Sequence, residues 1–207
     1  LQPLEAYGVD GVIGQAMRKV SLPPGSSRGG LMTMGSVLKV TTDGFDTSPI
    51  LRGAWVSRNI AGNTLSPPPE NVEVIEPDLS DATTLKEQVA KHKKSKSCYS
   101  CHKSIDPYGF ALESFDATGQ WRTQYRVKME HRATFQYRPQ GFFRLGGKID
   151  ASGDLDGAKF ESIVDLKDLL LGASTKVAYS FARVLFEYAT GLAPNLDHRM
   201  EPSDLIP

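Results

Sequence analysis

Residues 98–102 read Cys98-Tyr99-Ser100-Cys101-His102 and hold both cysteines of the 207-residue chain. The order C-x-x-C-H is the attachment signature of c-type haem. Two thiols at this spacing can add to the two vinyl groups of one haem, and the histidine that follows directly reaches the iron as proximal ligand. The expectation is one covalent haem c held by Cys98, Cys101 and His102. Two other readings stay open. A redox dithiol or disulfide also uses C-x-x-C, but normally where a helix opens after a strand. Here the pair follows a charged stretch, 85–97, that itself reads as helical. A structural zinc site needs four ligands, and there is no second cysteine pair to complete one.

Composition sets the frame around this motif. The chain is 40% hydrophobic and 23% charged, as in a soluble globular protein of one or two domains. Lys plus Arg and Asp plus Glu are 24 each, so no global charge argues for nucleic acid or an anionic surface. No apolar run has the length of a transmembrane segment, and Leu1-Gln2-Pro3-Leu4 reads neither as an initiator nor as a leader. Covalent haem attachment takes place outside the bacterial cytoplasmic membrane. The expectation is therefore an exported, periplasmic or extracellular chain trimmed from a longer precursor.

Outward from the motif, periodicity predicts mostly helices. Leu51 to Ile60 has apolar residues at Leu51, Ala54, Trp55 and Ile60, an amphipathic helix. A second helix is expected from about 78 to 96, with a basic end at Lys91 to Lys96 that suits a helix C-terminus. After the motif, Ile105 to Gly109 reads as a turn and Phe110 to Phe115 as a short helix. Residues 123–149 change character: Tyr125, Val127 and Met129, then Phe135 and Tyr137, suggest one or two hairpins. Asp150 to Gly157 reads as a solvated turn. Asp150, Ser152, Asp154 and Glu161 fit some calcium-loop offsets, but Leu155 stands where glycine is required. From Phe160 to Gly191 two helices are expected, separated at Gly172.

The run Cys98-Tyr-Ser-Cys-His102-Lys-Ser-Ile-Asp106-Pro107-Tyr-Gly109-Phe110-Ala-Leu-Glu113-Ser-Phe115-Asp116-Ala-Thr-Gly119-Gln-Trp121-Arg122 resembles the haem segment of the multidomain planctomycete-type cytochromes. Arg28 to Leu38, Thr47 to Pro49, Arg52-Gly53, Trp55 and the triple proline at 67–69 resemble the front half of the same module. Ile149 to Gly153 and the last two helices resemble the small helical module that follows it. The resemblance spans about residues 5–195 and implies the C-terminal part of a larger exported redox protein. The stretch from Arg122 to Lys148 is longer than in most relatives. The expected fold is mostly α: a cytochrome c-like haem module with a small β-hairpin insertion and a C-terminal helical hairpin. Its expected divisions are 1–25, the tail of a preceding module; 26–125, the haem module; 126–149, a β-rich insertion; and 150–207, a helical module.

The rest of the site is read residue by residue. For the sixth iron position Met34 is favoured, beside Gly35 in an apolar segment, with His92 as rival and core filling as the commoner fate of a methionine. The His102 ring is expected to donate its second N–H to a carbonyl or carboxylate, the carbonyls of Asp106 and Pro107 being near in sequence. Arg52 and Arg122 are expected to pair haem propionates. Trp55, Phe110, Phe115 and Trp121 are expected to wall the haem, ordinary core packing being their alternative. These expectations amount to single-electron transfer with other domains or subunits of one redox complex, with donor and acceptor unidentified. The alternatives are a haem subunit of an oxidoreductase or peroxidase-like enzyme, and an assembly module in which haem is structural.

Overall fold

The computed structural model describes residues 7–14, 16–42, 44, 46–65, 86, 89, 96–128 and 143–192. The expected triple-proline segment, most of the 78–96 helix, His92, Met129, Phe135 and Tyr137 lie outside these residues. Among the described residues there are six α-helices and four short strands. The helices are α1 (Gly35–Val40), α2 (Pro49–Asn59), α3 (Lys96–Lys103), α4 (Asp106–Ala111), α5 (Ile163–Gly172) and α6 (Ser174–Thr190). The strands form two antiparallel pairs, β1 (Gln124–Lys128) with β2 (Phe143–Lys148) and β3 (Gly153–Leu155) with β4 (Ala158–Phe160).

α2 begins two residues before its first periodic apolar position. Ser48 is extended and its hydroxyl accepts the Leu51 N–H at 3.2 Å. Pro49 follows, where a helix has no partner for an N–H in any case. α4 corrects the expected turn at 105–109. The helix runs from Asp106 to Ala111, with Pro107 in its first turn, and residues 112–114 form the turn. Proline fits the opening of a helix as well as it fits a turn, and the sequence alone did not separate the two.

β1 and β2 pair from Gln124 with Lys148 to Lys128 with Phe143, with a register shift between Gln124 and Arg126. They bring the two ends of the 123–149 stretch together. β3 and β4 form a tight hairpin where a plain turn was expected. Asp156 and Gly157 both have positive φ, 52° and 95°, which is the conformation the two-residue Asp-Gly hairpin turn demands.

The C-terminal helices depart from the expected hairpin. Only Ala173 separates α5 from α6, and the two meet at 90°. One residue is too short a link to reverse a helix on itself, so the pair forms a corner. Gly191 ends α6 in the left-handed conformation, φ 68°, donating to the Glu187 carbonyl at 2.9 Å. No single helix among the described residues is long and apolar enough to cross a membrane.

One apolar cluster joins these parts. Leu38, Val56, Leu112 and Phe115 pack in the same core as Phe160, Ile163 and Leu166. The core therefore runs across the expected division at 149/150. A smaller cluster joins Val89, Phe110 and Tyr125 of β1, with Ile50 and Ile149 packed against it.

Candidate functional site

The C-x-x-C-H motif folds as the body of α3. In a helix, positions 98, 101 and 102 are related by i,i+3 and i,i+4 spacing and share a face. Cys101 is a half-buried free thiol. The chain then turns through Ser104 and Ile105, whose N–H groups donate to the Cys101 and His102 carbonyls at 3.1 Å each. α4 starts at once, and its first residue, Asp106, lies four positions beyond His102.

Across that turn the His102 Nδ1 and the Asp106 Oδ1 are 2.8 Å apart. Asp106 is 1% exposed. Its carboxylate stands at the positive end of α4, where the macrodipole favours an anion. An ionised carboxylate only accepts, and in the tautomer that pairs with it Nδ1 is the donor. The second ring nitrogen, Nε2, is then the one through which this imidazole would ligate a metal. An imidazole anchored in this way by a carboxylate has the outer-shell arrangement of metal-ligating histidines. The expected partner is a carbonyl or a carboxylate, with the backbone carbonyls of Asp106 and Pro107 near in sequence. The structure gives the Asp106 side chain, which the His-x-x-x-Asp spacing could have revealed.

α4 is held in place by α2. Gly53 lies on the Ile105 carbonyl and Gly109 on the Pro49 carbonyl, so closely that a Cβ at either glycine would overlap that carbonyl. The two helices thus touch backbone to backbone on both sides of Asp106 in the sequence. A further tie runs from α3 to the β3–β4 turn, where Lys103 pairs with Asp156 at 2.8 Å.

Arg52 and Arg122 meet at one buried carboxylate, that of Glu113. Arg52 is buried in α2, and its guanidinium donates to the carbonyls of Leu112, Phe115 and Asp116 and to the Glu113 carboxylate. The Arg52–Glu113 distance is 3.3 Å with both side chains wholly buried. Arg122 Nη2 reaches the other Glu113 oxygen at 3.1 Å, and Thr47 donates to that oxygen at 2.6 Å. The Nη donors of Arg52 serve this internal carboxylate and carbonyls, and Arg122 donates to the Glu113 carbonyl, the Glu113 carboxylate and the Thr47 hydroxyl. Burial pushes the Glu113 carboxyl above the usual carboxylate range, with both arginines pulling against it. Burial likewise lowers Arg52, opposed by Glu113.

The other named residues are spread through the fold. Met34 stands at the N-cap of α1 and is 47% exposed. Trp55 is half-buried against the main core, whereas Phe110 belongs to the smaller cluster with Tyr125. Phe115 is fully buried, and Trp121, half exposed, meets it edge-on at 5.2 Å. Arg28 was not singled out from sequence. It stacks over the Tyr7 and Phe115 rings and donates to the Thr33 and Gly119 carbonyls, tying the N-terminal segment to the loop after α4. The suggested calcium ligands are engaged otherwise: Asp150 pairs with Lys86 at 2.8 Å, and Asp154 accepts the Gly157 N–H within the β3–β4 hairpin.

Among the described residues no three His, Cys, Asp or Glu side chains converge as a metal cage. The chemistry on offer is thus one anchored imidazole beside two helical cysteines. No curated protein and no solved structure matches this chain. Residues 28–125, which span α1 to α4 and the Arg52–Glu113 cluster, match the PSCyt3 family, described as a protein of unknown function (DUF1588).

Proposed function

We propose that this chain is a c-type cytochrome module that holds one haem covalently and moves single electrons outside the cytoplasm. The PSCyt3 match to residues 28–125 supports a planctomycete-type cytochrome domain. The observation that carries the reading is the His102–Asp106 pair at 2.8 Å, directly after the two cysteines. The donor set fits the group: Cys98 and Cys101 for the thioether bonds, and His102 for the iron. A bound haem would supply one-electron redox chemistry. The protein's own residues attach it, orient the imidazole and hold α3 against α4, which rests on α2. Electron exchange would be with other domains or subunits of a larger redox protein, in a cytochrome c-like helical frame.

The test is a pyridine haemochrome spectrum and an intact mass after acid–organic extraction. The expected result is haem that stays on the chain and a mass increment of one haem. Haem that extracts, or none, would leave Cys98 and Cys101 as a dithiol and end this reading. A haem subunit of an oxidoreductase or a peroxidase-like site is the second reading, favoured by the carboxylate on His102. A high-spin ferric spectrum that responds to small ligands selects it, whereas a low-spin spectrum selects electron transfer.

A further inference from the structure

We propose that Asp106 is a positioning residue that sets the electron-donor strength of His102 and so holds a bound haem iron in its oxidised state. The proposal rests on the haem reading above and goes beyond it, because it assigns the control of redox poise to one side chain.

Three observations carry it. The Nδ1–Oδ1 distance of 2.8 Å lies in the range of charge-assisted hydrogen bonds. Asp106 is 1% exposed, so its charge acts on the ring through a medium of low dielectric and little screening. The carboxylate is also fixed from behind. It opens α4, and the glycine contacts of Gly53 with Ile105 and of Gly109 with Pro49 seat that helix backbone to backbone on α2. A carbonyl acceptor would offer the ring only a dipole, but a carboxylate brings a full negative charge. Pulling the Nδ1 proton outward gives the imidazole partial imidazolate character and makes Nε2 a stronger donor. A stronger donor stabilises ferric iron more than ferrous iron, so the midpoint potential falls.

Asp106→Asn keeps size and an acceptor oxygen while removing the charge. The expected result is an upward shift of the midpoint potential in a redox titration, with covalent haem content and far-UV circular dichroism as in the parent. Asp106→Glu, which restores the charge, should bring the potential back towards the parent value. An Asn variant that keeps its haem and titrates at the parent potential overturns the proposal. The parent protein supplies an independent readout that needs no variant. In its reduced form, a His102 Nδ1 nitrogen shift displaced towards imidazolate supports the proposal, and that of an ordinary neutral imidazole N–H overturns it. Loss of the haem reading itself would appear earlier and separately, as extractable or absent haem in the parent.

Discussion

Arg52 and Glu113 face each other at 3.3 Å with neither side chain exposed to solvent. Such a pair is held by everything around it: Arg122 and Thr47 on the carboxylate, and the carbonyls of Leu38, Leu112, Phe115 and Asp116 on the guanidinium. Removing one partner leaves an uncompensated charge in the core, which costs about 3–5 kcal/mol. Glu113→Ala should therefore destabilise by that order in urea titration. The double change Arg52→Met with Glu113→Gln should lose less than the two single changes added together, because neither Arg52 nor Glu113 is then left facing an empty place, although the carbonyls that Arg52 serves lose their donor in both variants that lack it. A double variant that loses the full sum would argue that the cluster acts through packing alone.

Gly109 and Gly53 set the distance between α2 and α4. Alanine at either must push a helix away from a backbone carbonyl, with no flexible side chain to yield. Overpacking of this kind costs about 1–3 kcal/mol. Gly147→Ala is the matched control, since a Cβ there meets nothing within 4 Å. Thermal melts should show a clear loss for Gly109→Ala and near-parent behaviour for Gly147→Ala. Tolerance of alanine at 109 would mean that the close approach of the helices is not required.

What could be read from the sequence divides along physical lines. The α2 helix, the strand at 124–128 and the stop at Gly191 follow from local pattern, and local pattern shows in sequence, whereas the partner strand at 143–148 lies beyond the Phe135 and Tyr137 signal that the pattern offers. The Asp156-Gly157 hairpin is equally local, because Asp-Gly is the signature of a two-residue turn with positive φ at both positions. The fates of Arg52 and Arg122 were not readable. An arginine near a haem motif pairs a propionate or an internal carboxylate depending on where Glu113, 61 positions from Arg52, arrives in space. The corner between α5 and α6 was hidden for a related reason. Gly172 marks a break in the pattern, but the angle depends on the single residue Ala173 and on packing of Ile163 and Leu166 in the shared core. Asp106 lay between these cases: its spacing from His102 was visible, but its burial was not.

The acid limb of stability should report on the start of α5. Ser162 and Asp165 form a capping box: the Ser162 hydroxyl accepts the Asp165 N–H at 3.3 Å, and the Asp165 carboxylate accepts from Glu161 N–H and Ser162 hydroxyl at 3.0 Å each. The Glu161 N–H, then the Ser162 hydroxyl, hold Asp165 below the ordinary aspartate range. A carboxyl lowered in the folded state adds stability that is complete above its unfolded value of about 3.9 and lost as pH falls through the folded value. Asp165→Asn should therefore reduce the steepness of the acid limb in pH-dependent melts and leave the neutral-to-alkaline region parallel to the parent. An unchanged acid limb would show that other carboxylates govern it.

Met34 and Met32 separate ligation from packing. Met32 is buried in the main core and Met34 is half exposed at the N-cap of α1. The sequence favours Met34 for the sixth iron position on the haem reading, and a pair of variants tests that expectation. The Met34 thioether would raise the potential while the Asp106 carboxylate lowers it, so the two act in opposite directions on one iron. Met34→Ala should convert a low-spin spectrum to high-spin, abolish the thioether-to-iron charge-transfer band and lower the midpoint potential, with little loss of stability. Met32→Ala should do the reverse, costing about 2–5 kcal/mol through the cavity it leaves and sparing the spectrum. A parent-like spectrum in Met34→Ala would remove Met34 from the iron, and the same spectral loss in Met32→Ala would transfer the role to the buried methionine.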